Sequence, residues 1–548
     1  MNISKKVILI IGLIGCFGIA AVRVDSGKYF EMAKNLEIFA NIYKELNKNY
    51  VDELDPAKLM RVGIDAMLND LDPYTNYYSE SDIEVARFMT EGRYSGIGAG
   101  VKQIGDYPVI IDVFENCPAF KAGLRAGDVI VAVDGQNAKG KSPDSVYDIM
   151  KGTPGTEMEV TIRRPGAAQD LKLKVKRKEV DVPNVPYSGM VSTDVGYVNL
   201  TTFTRDAGAN VQKAIVALKE KNPEMKSIVL DLRGNGGGLL NEGVNLVNVF
   251  VPKGELIVST RGKVADWDHS YKTTNAPYDE KMSVVILVDK GTASSSEIVS
   301  GSLQDLDRAV VMGQRTYGKG LVQNFHEVGY NARMKLTTAK YYIPSGRCIQ
   351  GVSYQNGLPV NIPDSLRTPF KTRGGRRVLD GGGILPDVFI DKEIKSAVVK
   401  SLIDQNVIFD YVTQYMIGHP TAPAIVNDFR FNDFEDFTQF VIRKNFNADT
   451  ETDKLITQLR AEAAKENYAG TIENELKAMQ TKVGTAKKAE IAAYKTDLIH
   501  LIEKEIASRY YFEKGKIQIG LRNDKEVDEA VKLLHDNVRY TSLLKSSK

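Results

Sequence analysis

Two glycine-rich turns near the middle of the chain contain residues that could take part in hydrolysis. Residues 231–239 include four glycines, whose bare backbone N–H groups could face an anion. Residues 289–298 place Ser294 three positions before Glu297, the spacing of a helix capping box. The positive end of a helix dipole at such a turn would also favour an alkoxide or an oxyanion. The position of Ser294 therefore fits two roles, a helix cap and a nucleophile, and does not decide between them.

A third turn, residues 316–323, offers a base. Lys319 stands between two glycines that do not shield it, and it shares a face with Gln323 four positions on. A surface lysine in a flexible turn is the plain alternative. A nucleotide-binding P-loop is another, because Gly313 and the following Gly-Lys pair nearly reproduce that motif. Gly320 stands where a P-loop needs Ser or Thr for magnesium, so the match to an NTPase is incomplete.

Apolar runs and helical periodicity alternate around these turns. The strand-like runs are residues 196–203, 227–232, 284–288 and 309–312. The helix-like segments are residues 210–221, 239–250 and 294–306. This alternation is typical of a mainly parallel sheet covered by helices. The site is therefore predicted at the carboxyl ends of strands, in the turns after Leu232, Val288 and Met312.

Upstream of these turns, short β-rich runs separated by Gly and Pro predict a small separate domain. Its Ser-Gly-Ile-Gly-Ala-Gly loop, residues 95–100, could direct several N–H groups at a carboxylate beside a strand edge that pairs with a peptide. The string Ala-Gly-Leu-x-x-Gly-Asp-x-Ile follows at residues 122–130. Together these motifs closely resemble a PDZ domain. The resemblance implies that a polypeptide C-terminus is captured near Gly96, Ile97 and Gly98.

The flanking regions are helical in pattern. Residues 29–70 have apolar positions at helical spacing, and the Asp-Pro pair at residues 72–73 ends that pattern. Residues 463–506 are rich in Ala, Glu and Lys. They contain an apolar helical stripe formed by Ile491, Tyr494, Leu498, Leu501, Ile502 and Ile506. A helical domain could pack this stripe on the chain itself, or the stripe could be a homodimer surface.

The N-terminus has the pattern of an export signal. Lys5 and Lys6 precede an apolar run over residues 7–22. The run is about the length of a short membrane span, so an uncleaved anchor is one alternative. The Leu-Ile-Gly-Cys sequence that ends at Cys16 also resembles a lipobox. All three interpretations place the rest of the chain outside the cytoplasm, in the periplasm or cell envelope, and an ordinary buried helix is the remaining alternative.

The composition of the 548-residue chain excludes several classes of protein. Hydrophobic residues make up 43% and charged residues 26%, so the chain is neither disordered nor a polytopic membrane protein. The formal net charge of +2 gives no reason to expect a nucleic-acid partner. Three cysteines and five histidines form no disulfide framework or metal-ligand spacing, so no metal or cofactor is expected. A Ser/His/Asp triad through Asp268 and His269 is an alternative, although that pair has no strand-end context.

Taken in order, the motifs resemble those of the C-terminal processing, or tail-specific, peptidases. These are serine peptidases with an embedded PDZ domain. Matching features extend from residues 72–74 to residues 382–387. They include Thr-Thr-Ala-Lys-Tyr-Tyr-Ile-Pro-Ser-Gly-Arg at residues 337–347, a string to which residue chemistry alone assigns no role.

The resemblance implies a role for each candidate residue. Ser294 is the nucleophile, Lys319 is the general base and must act as a neutral amine, and Gln323 supports the lysine. The backbone N–H groups of Gly237 and Ser295 form the oxyanion hole. No metal or organic cofactor is needed for this chemistry.

The chain departs from the family pattern at two places. In the family pattern a small residue separates two serines, and here that position is Ser295. Ser296 therefore remains a competing candidate for the nucleophile. Asn-Gly-Gly-Gly at residues 235–238 replaces the family's Asn-Pro-Gly-Gly. Without the proline, the family pattern does not determine which residue of this turn is the oxyanion donor.

The resemblance also implies a multidomain α/β architecture with a ClpP/crotonase-like α/β protease core and an inserted PDZ-like β domain. The expected domains are a signal peptide or anchor at residues 1–24, an N-terminal helical region at 25–80, a PDZ domain at 81–178, a peptidase core at 179–395 and a mainly helical extension at 396–548. The expected activity is endopeptidase cleavage of exported polypeptides that have apolar C-terminal tails. A non-catalytic PDZ scaffold and, with less support, the NTPase remain as alternatives.

Overall fold

A computed structural model describes residues 26–355, 358–361, 363–391, 396–422, 426–448 and 450–545. The predicted export signal, with Lys5, Lys6 and Cys16, lies outside these residues. No helix among the described residues has both the length and the apolar character needed to cross a membrane. Two compact units are present, the smaller one comprising the chain up to Tyr77 together with Tyr354–Leu358.

The described part of the smaller unit contains two helices, in the region whose sequence is helical in pattern. Helix α1 is Ser26–Asn49 and helix α2 is Pro56–Asn69. The second helix begins at Pro56 because Asp55 caps it, accepting a hydrogen bond from the Lys58 N–H at 3.1 Å. Proline at the first helical position suits a helix start and cannot continue the previous helix.

The PDZ domain is a small antiparallel sheet covered by a helix. Its elements and those leading to it are β1 (Asn76–Tyr78), α3 (Ile83–Glu91), β2 (Arg93–Gly96), β3 (Ala99–Ile104), β4 (Tyr107–Val113), α4 (Pro118–Lys121), β5 (Val129–Val133), β6 (Gln136–Asn137), α5 (Pro143–Met150), β7 (Glu157–Arg163), β8 (Leu171–Lys176) and β9 (Lys178–Asp181). The sheet order is β3-β4-β5-β7-β8, with β6 beside β5. Strands β2 and β9 pair with each other where the chain enters and leaves the domain.

The α/β core follows. Its elements are β10 (Tyr187–Met190), β11 (Val195–Asn199), α6 (Ala207–Lys221), β12 (Ser227–Asp231), α7 (Leu240–Asn248), β13 (Leu256–Gly262), β14 (His269–Lys272), β15 (Ser283–Val288), α8 (Ser295–Asp305), β16 (Val310–Gly313), β17 (Leu321–Gly329), β18 (Ala332–Tyr342), β19 (Val352–Gln355), β20 (Leu358–Asn361), β21 (Pro369–Lys371), β22 (Arg377–Leu379) and β23 (Val388–Phe389). The principal sheet has the order β10-β11-β12-β15-β16-β23. Its pairs are parallel except β10 with β11, so the predicted mainly parallel sheet is confirmed.

Both faces of this sheet are buried, as is usual for parallel strands. Ile228 and Leu230 of β12 pack in a core with helices α6, α7 and α8. Val229, between them, points to the opposite face, where it packs with Val527 and Leu533 from the C-terminal region. A second sheet contains the β17–β18 hairpin, with β13 paired to β18 and β14 at its edge.

The C-terminal region of the described chain is helical, as predicted. Its helices are α9 (Ala397–Asp404), α10 (Val407–Gly418), α11 (Phe434–Arg443), α12 (Glu451–Lys465), α13 (Ala469–Ala493), α14 (Lys495–Gly520), α15 (Lys525–His535) and α16 (Asn537–Leu543). In the predicted apolar stripe, Leu498, Ile502 and Ile506 are fully buried among α10, α11 and their neighbours. The stripe therefore packs within the chain, as the first of the two alternatives predicts.

Candidate active site

The three glycine-rich turns meet at one edge of the principal sheet. Strands β12, β15 and β16 are parallel neighbours, so their carboxyl ends lie side by side. The Thr292 hydroxyl donates to the Leu232 carbonyl at 2.9 Å, which joins the first two turns. The Gln314 N–H donates to the Val288 carbonyl at 3.0 Å, which joins the second and third. The turns after Leu232, Val288 and Met312, where the sequence predicts the site, therefore lie at a common edge of the sheet.

Ser294 occupies a strained position at the start of α8. It is the N-cap residue, with φ 56° and ψ −119°, a left-handed conformation that a non-glycine residue rarely adopts. Gly237 packs directly against it, since a Cβ at position 237 would lie 2.7 Å from the Ser294 Cβ. The first glycine-rich turn therefore approaches Ser294 as closely as a backbone can.

The three consecutive serines differ in accessibility. Ser294 is half-buried, whereas Ser295 and Ser296 are buried. The Ser295 hydroxyl donates to the Gly238 carbonyl at 2.9 Å, and the Ser296 hydroxyl donates to the Asn235 carbonyl at 2.9 Å. Both buried hydroxyls thus hold the first glycine-rich turn against α8, and neither faces an open surface.

Glu297 is the centre of the polar network. Its carboxylate has no solvent exposure and accepts four hydrogen bonds. Oε2 accepts from the N–H groups of Ser294 at 2.8 Å and Lys319 at 2.9 Å. Oε1 accepts from the Gly318 N–H at 2.7 Å and the Thr316 hydroxyl at 2.5 Å. Burial raises the pKa of Glu297 to about 7, and the four hydrogen bonds oppose that shift by favouring the charged form.

The backbones of Ser294 and Lys319 are tied together twice. One Glu297 oxygen accepts the N–H groups of both residues. On the carbonyl side, the Tyr341 hydroxyl lies 3.1 Å from the Ser294 carbonyl oxygen and also contacts the Lys319 carbonyl. The backbones of Ser294 and Lys319 are thus held close together, and both residues are half-buried. Gln323 is in β17, where its side-chain amide donates to the Thr337 hydroxyl at 3.2 Å.

Two residues of the string at 337–347 acquire clear structural roles. Tyr341 joins the turn that contains Ser294 to the turn that contains Lys319. Arg347 is fully buried and forms an ion pair of 2.9 Å with Asp305, the last residue of α8. A cation at the C-terminal end of a helix complements the helix dipole. The string therefore supports both ends of the helix that begins after Ser294, a role that depends on tertiary contacts and has no local signal.

The first glycine-rich turn is anchored from outside by the C-terminal helices. Arg233 forms ion pairs with Asp231 at 2.6 Å, with Asp524 at 2.7 Å and with Glu526 at 2.5 Å. Asp524 is the N-cap of α15, which packs on the sheet. Sequence reasoning missed Arg233 because its partners lie almost three hundred positions along the chain.

The two expected oxyanion donors have different surroundings. Ser295 is the first residue of α8. Gly237 lies close to its backbone nitrogen, since a Cβ added at position 237 would be 2.9 Å from that atom. The Gly237 N–H donates to the Asn235 side-chain oxygen at 2.9 Å. Asn235 is fully buried, and its own amide donates to the Leu200 carbonyl at 2.8 Å. The Gly237 donor is therefore engaged within the turn.

The P-loop alternative is wrong. A P-loop leads into a helix and directs its N–H groups at phosphate. Here Lys319 leads into strand β17, and the N–H groups of Gly318 and Lys319 bind the Glu297 carboxylate. The triad alternative also gains no support, because His269 is exposed and Asp268 accepts from the Gly262 N–H at 2.9 Å.

The loop predicted to bind peptide tails forms the entrance to the PDZ sheet. Gly96 ends β2, and Gly98 has a positive φ of 77°. A side chain at Gly98 would collide with Cys117, whose Cβ would be 2.4 Å away. Ile97 is buried in the PDZ core, and its carbonyl accepts from the Ala119 N–H at 2.8 Å. In the described residues, no group of three His, Cys, Asp or Glu side chains is placed to hold a metal ion.

Three regions of the chain match known protein families. Peptidase family S41 matches residues 194–358, and the PDZ domain family matches residues 95–175. Residues 398–534 match the family described as "Probable PDZ-protease, C-terminal helical domain". The matched regions thus include the three turns, the Gly-rich peptide loop and most of the C-terminal helices.

Individual relatives match the chain over most of their own length. The "Carboxy-terminal-processing protease" of Bartonella bacilliformis is 36% identical over 60% of this chain and 76% of the relative. The "Probable CtpA-like serine protease" of Staphylococcus aureus is 31% identical over 78% of this chain and 85% of the relative. Among solved structures, the photosystem II D1 C-terminal processing protease is 26% identical, with 64% of this chain and 92% of that chain covered and a TM-score of 0.35. The chain belongs to peptidase family S41 and is a serine protease of the carboxy-terminal-processing type with a PDZ domain.

Proposed function

We propose that Ser294 and Lys319 form the catalytic dyad of this protease, with Ser294 as nucleophile and Lys319 as general base. The observation that carries the proposal is the single Glu297 oxygen that accepts the backbone N–H groups of both residues. Tyr341 contacts both carbonyl groups on the other side. Of the three serines, Ser294 is also the one whose side chain is not buried.

The chemistry proceeds by acyl transfer. The neutral amine of Lys319 takes the proton of the Ser294 hydroxyl as the oxygen attacks the scissile carbonyl carbon. The C–N bond then breaks, Lys319 returns the proton to the leaving amine, and an acyl-enzyme remains on Ser294. Water gives a proton to Lys319 and attacks the ester carbonyl carbon. The bond between that carbon and the Ser294 oxygen breaks, the acid is released, and Lys319 returns the proton to the Ser294 oxygen. Gln323, near the start of the same strand that follows the lysine, is the positioning residue for Lys319.

Backbone N–H groups stabilise the tetrahedral oxyanion. The first turn of α8 provides the Ser295 N–H, and the helix dipole adds to its effect. The second proposed donor is the Gly237 N–H, which must leave the Asn235 side-chain oxygen before it can serve. Substrate binding therefore includes a small rearrangement of residues 235–238.

The PDZ domain selects the substrate. We expect the free carboxylate of an apolar C-terminal tail to bind at Gly96, Ile97 and Gly98, with the tail added to the edge of β3. The substrates are exported polypeptides, in keeping with the signal pattern around Lys5 and Lys6. We also propose that the domains end at residues 24, 80, 178 and 395. A membrane or lipid anchor at the N-terminus and a homodimer are further parts of the proposal.

Cleavage of a model polypeptide with an apolar C-terminal tail tests the dyad. Ser294→Ala and Lys319→Ala should each lower kcat by at least about 1,000-fold. The first removes the nucleophile, and the second removes the base that takes the proton of the Ser294 hydroxyl. Ser300→Ala is the matched control, since Ser300 is a buried serine of the same helix that donates to the Ser296 carbonyl at 2.8 Å. Mass spectrometry of the products records the cleavage sites.

Two outcomes would overturn this assignment. Cleavage that survives Ser294→Ala but is abolished by His269→Ala would move the chemistry to the triad alternative. Tail binding without serine-dependent products would indicate the PDZ scaffold. Full activity in Ser300→Ala, with unchanged thermal unfolding in all variants, separates loss of chemistry from loss of fold.

A further inference from the structure

The PDZ domain packs against the C-terminal helices at several points. Gly127, just before β5, approaches α10 so closely that a Cβ at position 127 would be 2.4 Å from the Thr413 methyl carbon. Lys102 of β3 donates to the side-chain oxygen of Asn406, the N-cap residue of α10, at 2.8 Å. Helix α14 contacts β4 of the same domain. Since the chain enters and leaves the domain through the paired strands β2 and β9, these contacts provide a second support for it.

Helix α14 is interrupted at a residue that contacts the PDZ domain. Phe512 has φ 59° and ψ −159° inside α14, a backbone conformation that is essentially restricted to glycine. Its half-buried ring packs edge-on against the ring of Phe120 in α4, with 5.2 Å between ring centroids and 81° between ring planes. The interruption of the helix thus coincides with an aromatic contact between the C-terminal helices and the PDZ domain.

The strain at Phe512 points to a role for its ring. Glycine would adopt the same backbone without steric cost, so phenylalanine makes this part of α14 less stable than it could be. Strained residues of this kind persist where the surrounding structure requires them. Phenylalanine provides the contact with Phe120, which glycine cannot make. The local loss of stability is therefore accompanied by a contact that fixes the PDZ domain on the C-terminal helices.

We propose that Phe512 is a positioning residue that holds the PDZ domain in one orientation, so that a captured tail directs its polypeptide to Ser294. The inference rests on the proposed dyad and on the proposed capture of tails by the PDZ domain. A domain that is attached by two strands moves relative to its neighbour unless an interface restrains it. Restraint raises the fraction of captured substrates whose scissile bond reaches the nucleophile. It therefore increases kcat and leaves the affinity of the PDZ domain for the tail unchanged.

Three substitutions at position 512 separate the ring from the backbone strain. Phe512→Gly removes both, Phe512→Ala removes the ring and keeps a strained backbone, and Phe512→Tyr keeps the ring. For a model polypeptide with an apolar free C-terminus, kcat should fall about tenfold in the Gly and Ala variants and stay within about twofold in Phe512→Tyr. Phe512→Gly should unfold at a higher urea concentration than Phe512→Ala, so that activity follows the ring and not the stability. In the Ser294→Ala background, fluorescence anisotropy of a labelled tail peptide should give the same Kd for all three variants.

Two further variants provide the partner and the control. Phe120→Ala removes the other ring and should lower kcat by the same factor, and the double variant with Phe512→Gly should be no slower than either single variant. Phe446 is a half-buried phenylalanine that packs in the core of the C-terminal helices. Phe446→Ala should therefore lower the urea midpoint and leave kcat for the tailed substrate unchanged.

Hydrogen exchange provides a second measurement that needs no substrate. The backbone amides of Lys121 and Ala122, which close the turn of α4, should exchange severalfold faster in Phe512→Gly than in the parent or in Phe446→Ala. Unchanged kcat or unchanged exchange in Phe512→Gly would overturn the proposal. Faster cleavage of a substrate without a tail would also overturn it, because the contact would then be inhibitory. If the parent shows no tail-dependent cleavage while this exchange still accelerates, the proposed function fails and the docking contact stands, so the two failures are distinguishable.

Discussion

The catalytic turns and the PDZ edge both use side chains to satisfy backbone N–H groups, but they do so in different ways. At the catalytic turns, one buried carboxylate, Glu297, accepts four hydrogen bonds from two turns of chain. At the PDZ edge, one half-buried hydroxyl, that of Tyr147, accepts a hydrogen bond from the Val101 N–H at 2.6 Å. Opening the first network breaks several bonds at once and leaves a charge without partners, whereas the second opens one neutral bond at a time. The network around Glu297 is therefore formed before substrate arrives, whereas the Tyr147 contact at the edge of β3 is a single neutral hydrogen bond.

The largest expected effect comes from removing the shared carboxylate. Glu297→Ala leaves the N–H groups of Ser294, Gly318 and Lys319 and the Thr316 hydroxyl without their acceptor. The free energy of unfolding should fall by about 4 kcal/mol, and kcat should fall at least about 100-fold in whatever folded protein remains. Urea denaturation and steady-state cleavage of a tailed substrate measure the two effects.

A second glutamate near a neighbouring helix provides the control. Glu242 is in the first turn of α7 and accepts two hydrogen bonds, one of 3.1 Å from the Gly208 N–H and one of 3.2 Å from the Asn245 side-chain amide. Glu242→Ala should cost about 1 kcal/mol and leave kcat unchanged. Equal effects of the two substitutions would contradict the distinction between a fully buried acceptor of four hydrogen bonds and a half-buried acceptor of two.

The sequence predicted the place of the site better than it predicted the supporting contacts. Apolar strands and glycine-rich turns alternate along the chain, so the common edge after Leu232, Val288 and Met312 follows from local pattern and the parallel-sheet rule. The break in the N-terminal helix was also readable, because Asp55-Pro56 is a helix-start signal that the apolar periodicity concealed.

The supporting residues could not be predicted because each acts across the fold. Glu297 looks like an ordinary capping-box residue in sequence, and its additional bonds to Gly318 and Lys319 come from another turn. Tyr341 and Tyr147 act through hydroxyls that reach the backbone of a different element. Such contacts depend on how helices and strands pack, which no local spacing encodes.

A smaller effect is expected from the anchor of the first glycine-rich turn. Arg233→Gln removes the cation shared by Asp231, Asp524 and Glu526, leaving three carboxylates close together and partly buried. The free energy of unfolding should fall by about 3 kcal/mol, and kcat should fall about tenfold because residues 235–238 become less fixed. The affinity for a tail peptide should not change, since the PDZ edge has no contact with this cluster among the described ion pairs.

An exposed arginine tests whether the location matters. Arg205 pairs with Glu91 at 3.5 Å, and its side chain is 63% exposed. Arg205→Gln should change neither unfolding nor kcat measurably. A weakened tail affinity in Arg233→Gln would contradict the independence of the two regions.

The smallest effect is a pH dependence that separates a carboxylate in each region. Burial raises the pKa of Glu297 to about 7 and that of Asp112, in the PDZ strand β4, to about 6. Because both values lie above those of the unfolded chain, each group contributes stability at low pH that is lost as pH rises through its folded pKa. Between pH 6 and 8 the titration of Glu297 should lower the free energy of unfolding by about 1 kcal/mol, while most of the Asp112 change falls below pH 6.

Urea denaturation across this range, with one neutral variant for each carboxylate, assigns the change. Asp112→Asn should keep the decline between pH 6 and 8, since Glu297 is intact, and lose the part below pH 6. Glu297→Gln should start from a lower free energy of unfolding and show a flatter profile above pH 6, so its gap to the parent protein narrows as pH rises. A gap that widens instead would mean that the four hydrogen bonds outweigh burial and hold the carboxylate charged well below neutral pH. In that case the catalytic turns would be fixed by a permanent charge, and their contrast with the neutral PDZ edge would be sharper still.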